Sequence, residues 1–192
     1  LLPIWRTPEE RSAVMAYTAE LAARLRAVRY GSRSVQVEID DRDIGGARGW
    51  DWIKRGIPLR VEIGPRDIAA DAVFFGRRDL PAREKKAMPC AQFVAEIGTI
   101  LDEIQQALFQ RALSLKNEHT ILIDSEPEFY RFFSPQNAEK PEIHGGFALS
   151  HWCGSEVCEN RVKEDLKVTI RCIPFEEDST GPGACICCGK PR

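Results

Sequence analysis

The sequence lacks several features that would assign a function class at once. No apolar run approaches the roughly 20 residues of a membrane-spanning helix, and no charged segment with a cleavage site opens the chain. The formal net charge is only −2 over 192 residues, so any binding of a polyanion must depend on a local patch. We therefore expect a soluble, cytoplasmic protein with no membrane partner. Residues 1–5 resemble the end of a buried strand without a start methionine, which suggests a piece of a longer protein.

Cysteine is nearly absent from most of the chain, because six of the seven cysteines lie at residue 153 or beyond. This change in composition suggests a division into domains. We predict a first domain over residues 1–116, a connector over 117–146 and a C-terminal domain over 147–192. A domain as small as the last one needs a staple in addition to its apolar core.

Hydrophobic periodicity in the first domain alternates between the strand type and the helix type. Strands are predicted over residues 1–5, 34–39, 59–63 and 72–77, and helices over residues 7–31, 50–55 and 90–115. Strands separated by helical segments favour an α/β layer.

The strand at residues 59–63 is a candidate floor for a binding surface. Leu59, Val61 and Ile63 alternate with Arg60 and Glu62, so one face is apolar and the other is charged. The charged face could bind a ligand through paired donors and acceptors. It could equally be a row of solvated ion pairs, which are common and contribute little to stability.

The clustered cysteines suggest a metal centre. Cys153 and Cys158 form one pair, and Cys185 and Cys188 form another. Two chelating pairs suit tetrahedral Zn²⁺, and a site with four protein ligands is structural because no coordination position stays open. Two disulfides or thiols without a metal are the alternatives, and the lack of a secretory signal disfavours the disulfides. Cys187 could replace Cys185, although adjacent ligands give poor chelating geometry.

The other residues near this block have simpler interpretations. His151 is the only histidine close enough in sequence to compete as a ligand. A strand is predicted over residues 168–175, with Cys172 as a small buried residue, and a short helix over residues 159–166. Cys90, at a helix start, is also expected to be buried.

Six short motifs, taken in order, span nearly the whole chain. They are Asp40–Asp43, Lys54–Asp67, Cys153–Gly154, Cys158–Glu159, Thr169–Phe175 and Cys188–Gly189. Together they resemble the C-terminal part of the prolyl-tRNA synthetase family, of the archaeal and eukaryotic-like type. The resemblance implies an α/β class II anticodon-binding domain, with a mixed sheet flanked by helices, followed by a small α+β zinc-binding domain.

The same resemblance implies the role of the full-length enzyme. Such an enzyme activates proline with ATP and Mg²⁺ in an upstream catalytic domain and is a homodimer in full-length form. No class II signature motif occurs in these residues, so this fragment alone is not expected to aminoacylate tRNA. In this interpretation it is the arm that recognises the anticodon of tRNA(Pro).

An anticodon loop is splayed single-stranded RNA, which proteins read by stacking and by hydrogen bonds to base edges. Carboxylates suit the N–H donors of guanine, and guanidinium or ammonium groups suit its O6 and N7 atoms. Trp50 and Trp52 could stack on bases. The candidate contacts are Asp41, Arg42, Asp43, Arg48, Asp51, Lys54, Arg60, Glu62 and Arg66. The alternative function is a zinc-stabilised structural or interaction module that binds no specific RNA.

Overall fold

The computed structural model describes residues 1–42, 44, 46–137, 139, 145–175 and 181–191. The chain divides into two compact units, Leu1–Arg111 and Ala112–Arg192. The finer division at residues 116 and 146 stays a prediction. Within the described ranges, no helix has the length and apolar character needed to cross a membrane.

Among the described residues, six strands and four helices begin in the first unit. In chain order they are β1 (Leu2–Pro3), α1 (Pro8–Ala27), β2 (Arg29–Tyr30), β3 (Arg33–Ser34), α2 (Ala47–Lys54), β4 (Leu59–Ile63), α3 (Pro65–Ala69), β5 (Ala72–Arg77), β6 (Lys85–Pro89) and α4 (Cys90–Glu118). The main sheet has the order β1-β4-β5-β6, in which β1 is parallel to β4 and the remaining neighbours are antiparallel. The predicted mixed sheet flanked by helices is therefore confirmed.

One face of this sheet forms the core with α1 and α4. Val61 and Phe75 are directly opposite each other in the β4–β5 register and are both buried. Phe93 of α4 packs on Phe75 with ring centroids 5.0 Å apart. The start of α1 agrees with the sequence, since the Thr7 side chain accepts a hydrogen bond from Glu10 N, and the Glu10 carboxylate accepts one from Thr7 N.

The strand predicted over residues 34–39 is wrong, because only Ser34 belongs to a strand. The following segment contacts β1 in two places: Leu1 N donates to Glu38 O and Asp40 N donates to Leu1 O. The next donor of such a parallel ladder would be the nitrogen of Pro3, which carries no hydrogen. The pairing therefore stops before a strand forms.

Strand β6 was not predicted from the sequence. Its residues, Lys85 to Pro89, do not alternate between apolar and polar types, and they contain two lysines and a proline. Such residues are typical of an edge strand, where they discourage pairing with another chain. The strand forms because it pairs with β5 along its whole length.

In the part of the second unit that the structure describes, two further strands and two further helices form. They are β7 (Thr120–Leu122), α5 (Glu126–Phe133), β8 (Phe147–Leu149) and α6 (Glu156–Leu166). β7 and β8 pair in parallel, and Ile123, Phe129 and Val162 form a small buried cluster. The predicted α+β character agrees with this arrangement. The strand predicted over residues 168–175 is wrong: these residues form no ladder, and Cys172 is exposed rather than buried.

Candidate functional site

The second face of the main sheet carries the polar residues of the central strands. Register places Arg60 opposite Gly76, and Gly76 opposite Lys85; it likewise places Glu62 opposite Phe74. Lys85 Nζ lies 2.6 Å from a Glu62 carboxylate oxygen and 5.5 Å from the centroid of the Phe74 ring. We call these five residues the polar sheet face. It presents charge and an aromatic ring side by side.

The alternation in the sequence placed Arg60 on a solvent-exposed face of its strand. The structure instead buries it. The residue is only 8% exposed, and its Nη2 atom has no hydrogen-bond partner among the described residues. Burial lowers the pKa of its guanidinium, although nearby Glu62 opposes that change. A buried guanidinium with an unused donor is costly unless a ligand supplies an acceptor. Arg60 is therefore the most unusual charged group of this unit.

A second polar cluster surrounds Asp40, which is 5% exposed. Its carboxylate accepts hydrogen bonds from Arg42 Nε and Nη2, both at 2.9 Å, and from Trp52 Nε1 at 2.7 Å. Hydrogen bonds from Arg42 hold the pKa of the Asp40 carboxyl well below its usual range, against the opposing effect of burial. Arg42 Nη2 also lies 3.4 Å from Asp51. Two carboxylates therefore fix this guanidinium.

The side chain of Arg48 donates hydrogen bonds to two backbone oxygens beside the interrupted ladder. Its Nη1 donates to Asp40 O at 2.7 Å, and its Nη2 donates to Pro3 O at 3.0 Å. The first of these carbonyl groups is the one that an N–H at residue 3 would satisfy in a parallel ladder. Arg48 thus satisfies backbone carbonyl groups. This role of the side chain was not evident from the sequence.

The remaining candidates are less constrained. Asp41 is exposed and lies 3.5 Å from Arg11. Lys54 and Arg66 are exposed. Trp50 is 58% exposed on α2 and available for stacking. Asp43 lies outside the described residues.

A cavity of about 360 Å³ brings three of the candidates together. Its lining includes Arg42, Arg48 and Glu62, with residues 2–5 of the first strand region. Lys85 belongs to a basic run that the sequence marks as a candidate phosphate contact, but its place beside Glu62 and Phe74 was not evident, because the pairing of β5 with β6 sets those neighbours. Asp40 belonged to a recognised motif, but its burial gave no signal in the sequence.

Four cysteine thiols of the second unit converge on one point. The sulfur atoms of Cys153, Cys158, Cys185 and Cys188 all lie within 4.8 Å of one another, as the sequence spacing predicted. Cys153 Sγ is 3.6 Å from Cys158 Sγ and 3.7 Å from Cys188 Sγ. Four sulfur donors at one point are the set that a tetrahedral metal ion accepts, so this site could hold a metal.

The second pair of cysteines lies in a tight turn. Gly189 N donates to Cys185 O at 2.9 Å, and Gly189 adopts a φ of +71°, which glycine tolerates and most residues do not. Burial raises the pKa of the Cys185 thiol, but backbone N–H groups of Cys187 and Cys188 outweigh that effect and lower it to about 6. The turn therefore favours a thiolate at Cys185.

Two neighbours that competed as ligands have other partners. Cys187 is buried beside the cluster but is not one of the four converging thiols, and its carbonyl oxygen accepts from Arg161 Nη1 at 3.1 Å. His151 is buried, with one ring nitrogen 3.3 Å from Asp124 Oδ1 and the other 3.0 Å from Gly181 O. Neither residue belongs to the candidate metal centre.

Comparison with known proteins gives a family match for each of two parts of the chain. Residues 3–100 match the family of anticodon binding domains, and residues 139–192 match the C-terminal domain of prolyl-tRNA synthetase. The chain is 46% identical, over its full length, to proline--tRNA ligase 2 of Anaeromyxobacter dehalogenans, and 42% identical, over 99% of its length, to the proline--tRNA ligase of Protochlamydia amoebophila. It spans only 38% of each of these relatives.

A solved structure has the same fold. The crystal structure of prolyl-tRNA synthetase from Cryptosporidium parvum, complexed with L-proline and AMP, matches 99% of this chain and 37% of that one, with a TM-score of 0.65 and 25% identity. Sequence families, relatives and fold thus agree along both units. The chain belongs to the family of anticodon-binding domains, and its residues 139–192 match the C-terminal domain of prolyl-tRNA synthetase.

Proposed function

We propose that this chain is the tRNA-recognition and metal-binding part of a proline--tRNA ligase. In this role it holds the anticodon stem-loop of tRNA(Pro), while a catalytic domain elsewhere in the protein uses ATP and Mg²⁺ to attach proline. The curated relatives are ligases of that name and match the whole chain. We further propose that the full-length enzyme is a cytoplasmic homodimer.

Arg60 is the main support for a nucleic-acid ligand at the polar sheet face. Its buried Nη2 lacks an acceptor in the described residues, and the O6 and N7 atoms of guanine are well suited to supply one. Proline anticodons share two guanines. Lys85 lies in the same row as Arg60 on the other side of β5, and Glu62 lies two residues along β4 from Arg60. They could add a donor and an acceptor for the same or the neighbouring base.

Positive groups around this face would contact the sugar-phosphate backbone. Lys54 and Arg66 are exposed candidates for that role, and Trp50 offers an exposed ring for stacking. Phosphate contacts position the RNA and carry no sequence information, whereas contacts to base edges specify it. We therefore assign guanine recognition to Arg60 and Glu62, and general RNA affinity to the exposed cations.

The experiment compares two anticodon stem-loops, one with the proline guanines and one with those guanines replaced. The chain should bind the first more tightly. Arg60→Met should weaken that complex about tenfold or more and reduce the difference between the two RNAs. Arg29→Met is a matched control, because Arg29 is exposed and donates to Ser32 O in its own turn. Equal affinity of the unmodified chain for both stem-loops would overturn the proposal.

For the cysteine centre we propose structural Zn²⁺, held by Cys153, Cys158, Cys185 and Cys188. The ion would join the turn before α6 to the turn at residues 185–189 and stabilise a unit with a small core. Elemental analysis should find about one zinc per chain. Cys153→Ser and Cys188→Ser should lose the metal, whereas Cys172→Ser should retain it because Cys172 is exposed and outside the cluster. A metal-free chain with an equally stable second unit would contradict this assignment.

A further inference from the structure

Helix α2 has little apolar anchoring to the first unit. None of its eight residues is fully buried, Trp52 and Ile53 are only partly buried, and no side chain among the described residues caps its N-terminus. A helix this short is marginal in water unless tertiary contacts hold it. The polar contacts that it makes therefore contribute much of what fixes its position.

Two of these contacts end at the same residue. Arg48, in the first turn of α2, donates to the backbone oxygen of Asp40, and Trp52, one turn later, donates to the Asp40 carboxylate. Asp51, between them, lies beside Arg42, which the Asp40 carboxylate also holds. Asp40 is thus the point at which α2 is fixed to the domain.

The carboxylate of Asp40 is fully used. Oδ1 accepts from Arg42 N at 3.2 Å and from Arg42 Nε at 2.9 Å, while Oδ2 accepts from Arg42 Nη2 at 2.9 Å and from Trp52 Nε1 at 2.7 Å. All four partners are donors, so an amide at this position would turn an N–H₂ group towards at least one of them. Only an ionised carboxylate satisfies the set.

We propose that Asp40 is a positioning residue for RNA recognition. It orients α2, and with it the exposed Trp50, and it fixes the guanidinium of Arg42, whose side chain is 44% exposed and can offer its remaining N–H donors to an acceptor on the RNA. This inference rests on the proposed anticodon-binding function. It assigns to Asp40 an effect on specificity without direct contact between Asp40 and the RNA.

The chain contains a matched control for this inference. Asp79 is 7% exposed and is held by Arg77 Nε at 3.0 Å and Nη2 at 2.9 Å, the same arrangement that Arg42 makes with Asp40. Arg77 continues to Glu103 of α4 and lies on the helix-covered face of the sheet, opposite Leu59. Asp79→Asn therefore breaks a similar buried pair away from α2.

The test compares Asp40→Asn, Asp79→Asn and the unmodified 192-residue chain. Both variants should be destabilised to a similar degree in urea unfolding. Under conditions where all three are folded, Asp40→Asn should weaken binding of the proline-type stem-loop about tenfold and reduce discrimination against the guanine-replaced loop, while Asp79→Asn should leave both unchanged. The indole N–H of Trp52, identified by its loss in Trp52→Phe, should exchange faster with solvent in Asp40→Asn only.

Each outcome separates the inference from the function on which it rests. If the unmodified chain does not distinguish the two stem-loops, the proposed function fails. If it does, but Asp40→Asn binds and discriminates like Asp79→Asn, the positioning role is overturned.

Discussion

The Nη2 atom of Arg60 lies 2.9 Å from the place that a Cβ atom on Gly76 would occupy. Gly76 is directly opposite Arg60 in the β4–β5 register and is buried. The absence of a side chain at residue 76 therefore makes room for a buried guanidinium. The glycine at residue 76 of β5 is therefore needed for the position of the Arg60 guanidinium on β4.

Gly76→Ala should displace the guanidinium of Arg60 and should change the stability of the fold only slightly. The nearest atom to the new methyl group is the far end of a flexible side chain, so the guanidinium can move aside at a cost below about 1 kcal/mol. Affinity for the proline-type stem-loop should fall several-fold. Gly98→Ala is the control, because a Cβ there would meet only Tyr30 at an ordinary 3.9 Å. Unchanged RNA affinity in Gly76→Ala would argue against a role for Arg60.

Arg48→Met should destabilise the first unit by about 1–2 kcal/mol, because two backbone oxygens lose their donor. Pro3→Ala in the same chain should restore part of that loss, since the new N–H can donate to Asp40 O as a regular parallel ladder would. Urea unfolding of the two single variants and the double variant measures this coupling. Strictly additive effects would contradict the backbone role of Arg48.

The ion pair of Asp40 predicts a specific dependence of stability on pH. Hydrogen bonds from Arg42 lower the pKa of Asp40 in the folded state, so the carboxylate stabilises the fold above the unfolded value of about 3.9, and this contribution is lost as the pH falls below it. Asp40→Asn should lower the free energy of unfolding by about 1.5–3 kcal/mol at neutral pH. The difference between variant and parent should shrink towards about pH 3. A constant difference across this range would contradict the assignment.

Arg161 should support the metal centre from outside the ligand set. Its Nη1 donates to Cys187 O and lies 3.7 Å from Cys187 Sγ, while its Nη2 pairs with Glu126 at 2.7 Å. A divalent ion with four thiolates is a dianion, which a nearby guanidinium stabilises. Arg161→Ala should weaken zinc binding about tenfold in competition with a chelator. Lys163→Ala, at an exposed position on the same helix, should not change it.

Local sequence signals predicted the elements that depend on local chemistry. Thr7 and Glu10 form the expected capping box, and Leu59 to Ile63 form the expected strand. The strand predicted over residues 34–39 does not form, because Pro3 of the neighbouring strand has no N–H group to continue the ladder. Hydrophobic periodicity does not show which residues will be neighbours in a sheet. The same limit explains β6, whose stability comes from β5.

The candidate sites divide in the same way. The convergence of the four cysteines agrees with their spacing, because the two members of each pair are close in the sequence. Arg60 was identified as a candidate, but its burial depends on the glycine opposite it, and Asp40 gathers donors from residues 42, 48 and 52 only after α2 has docked. Such convergence is set by tertiary structure.

The cysteine centre also has a consequence for how this family can vary. With metal bound, the stretch between Cys158 and Cys185 becomes a closed loop whose two ends are fixed by the ion. Closing a flexible loop costs only about 0.6 kcal/mol more for each doubling of its length. Insertions and deletions between the end of α6 and Cys185 should therefore accumulate among relatives, whereas α6 and the turn from Cys185 to Gly189 should keep their lengths.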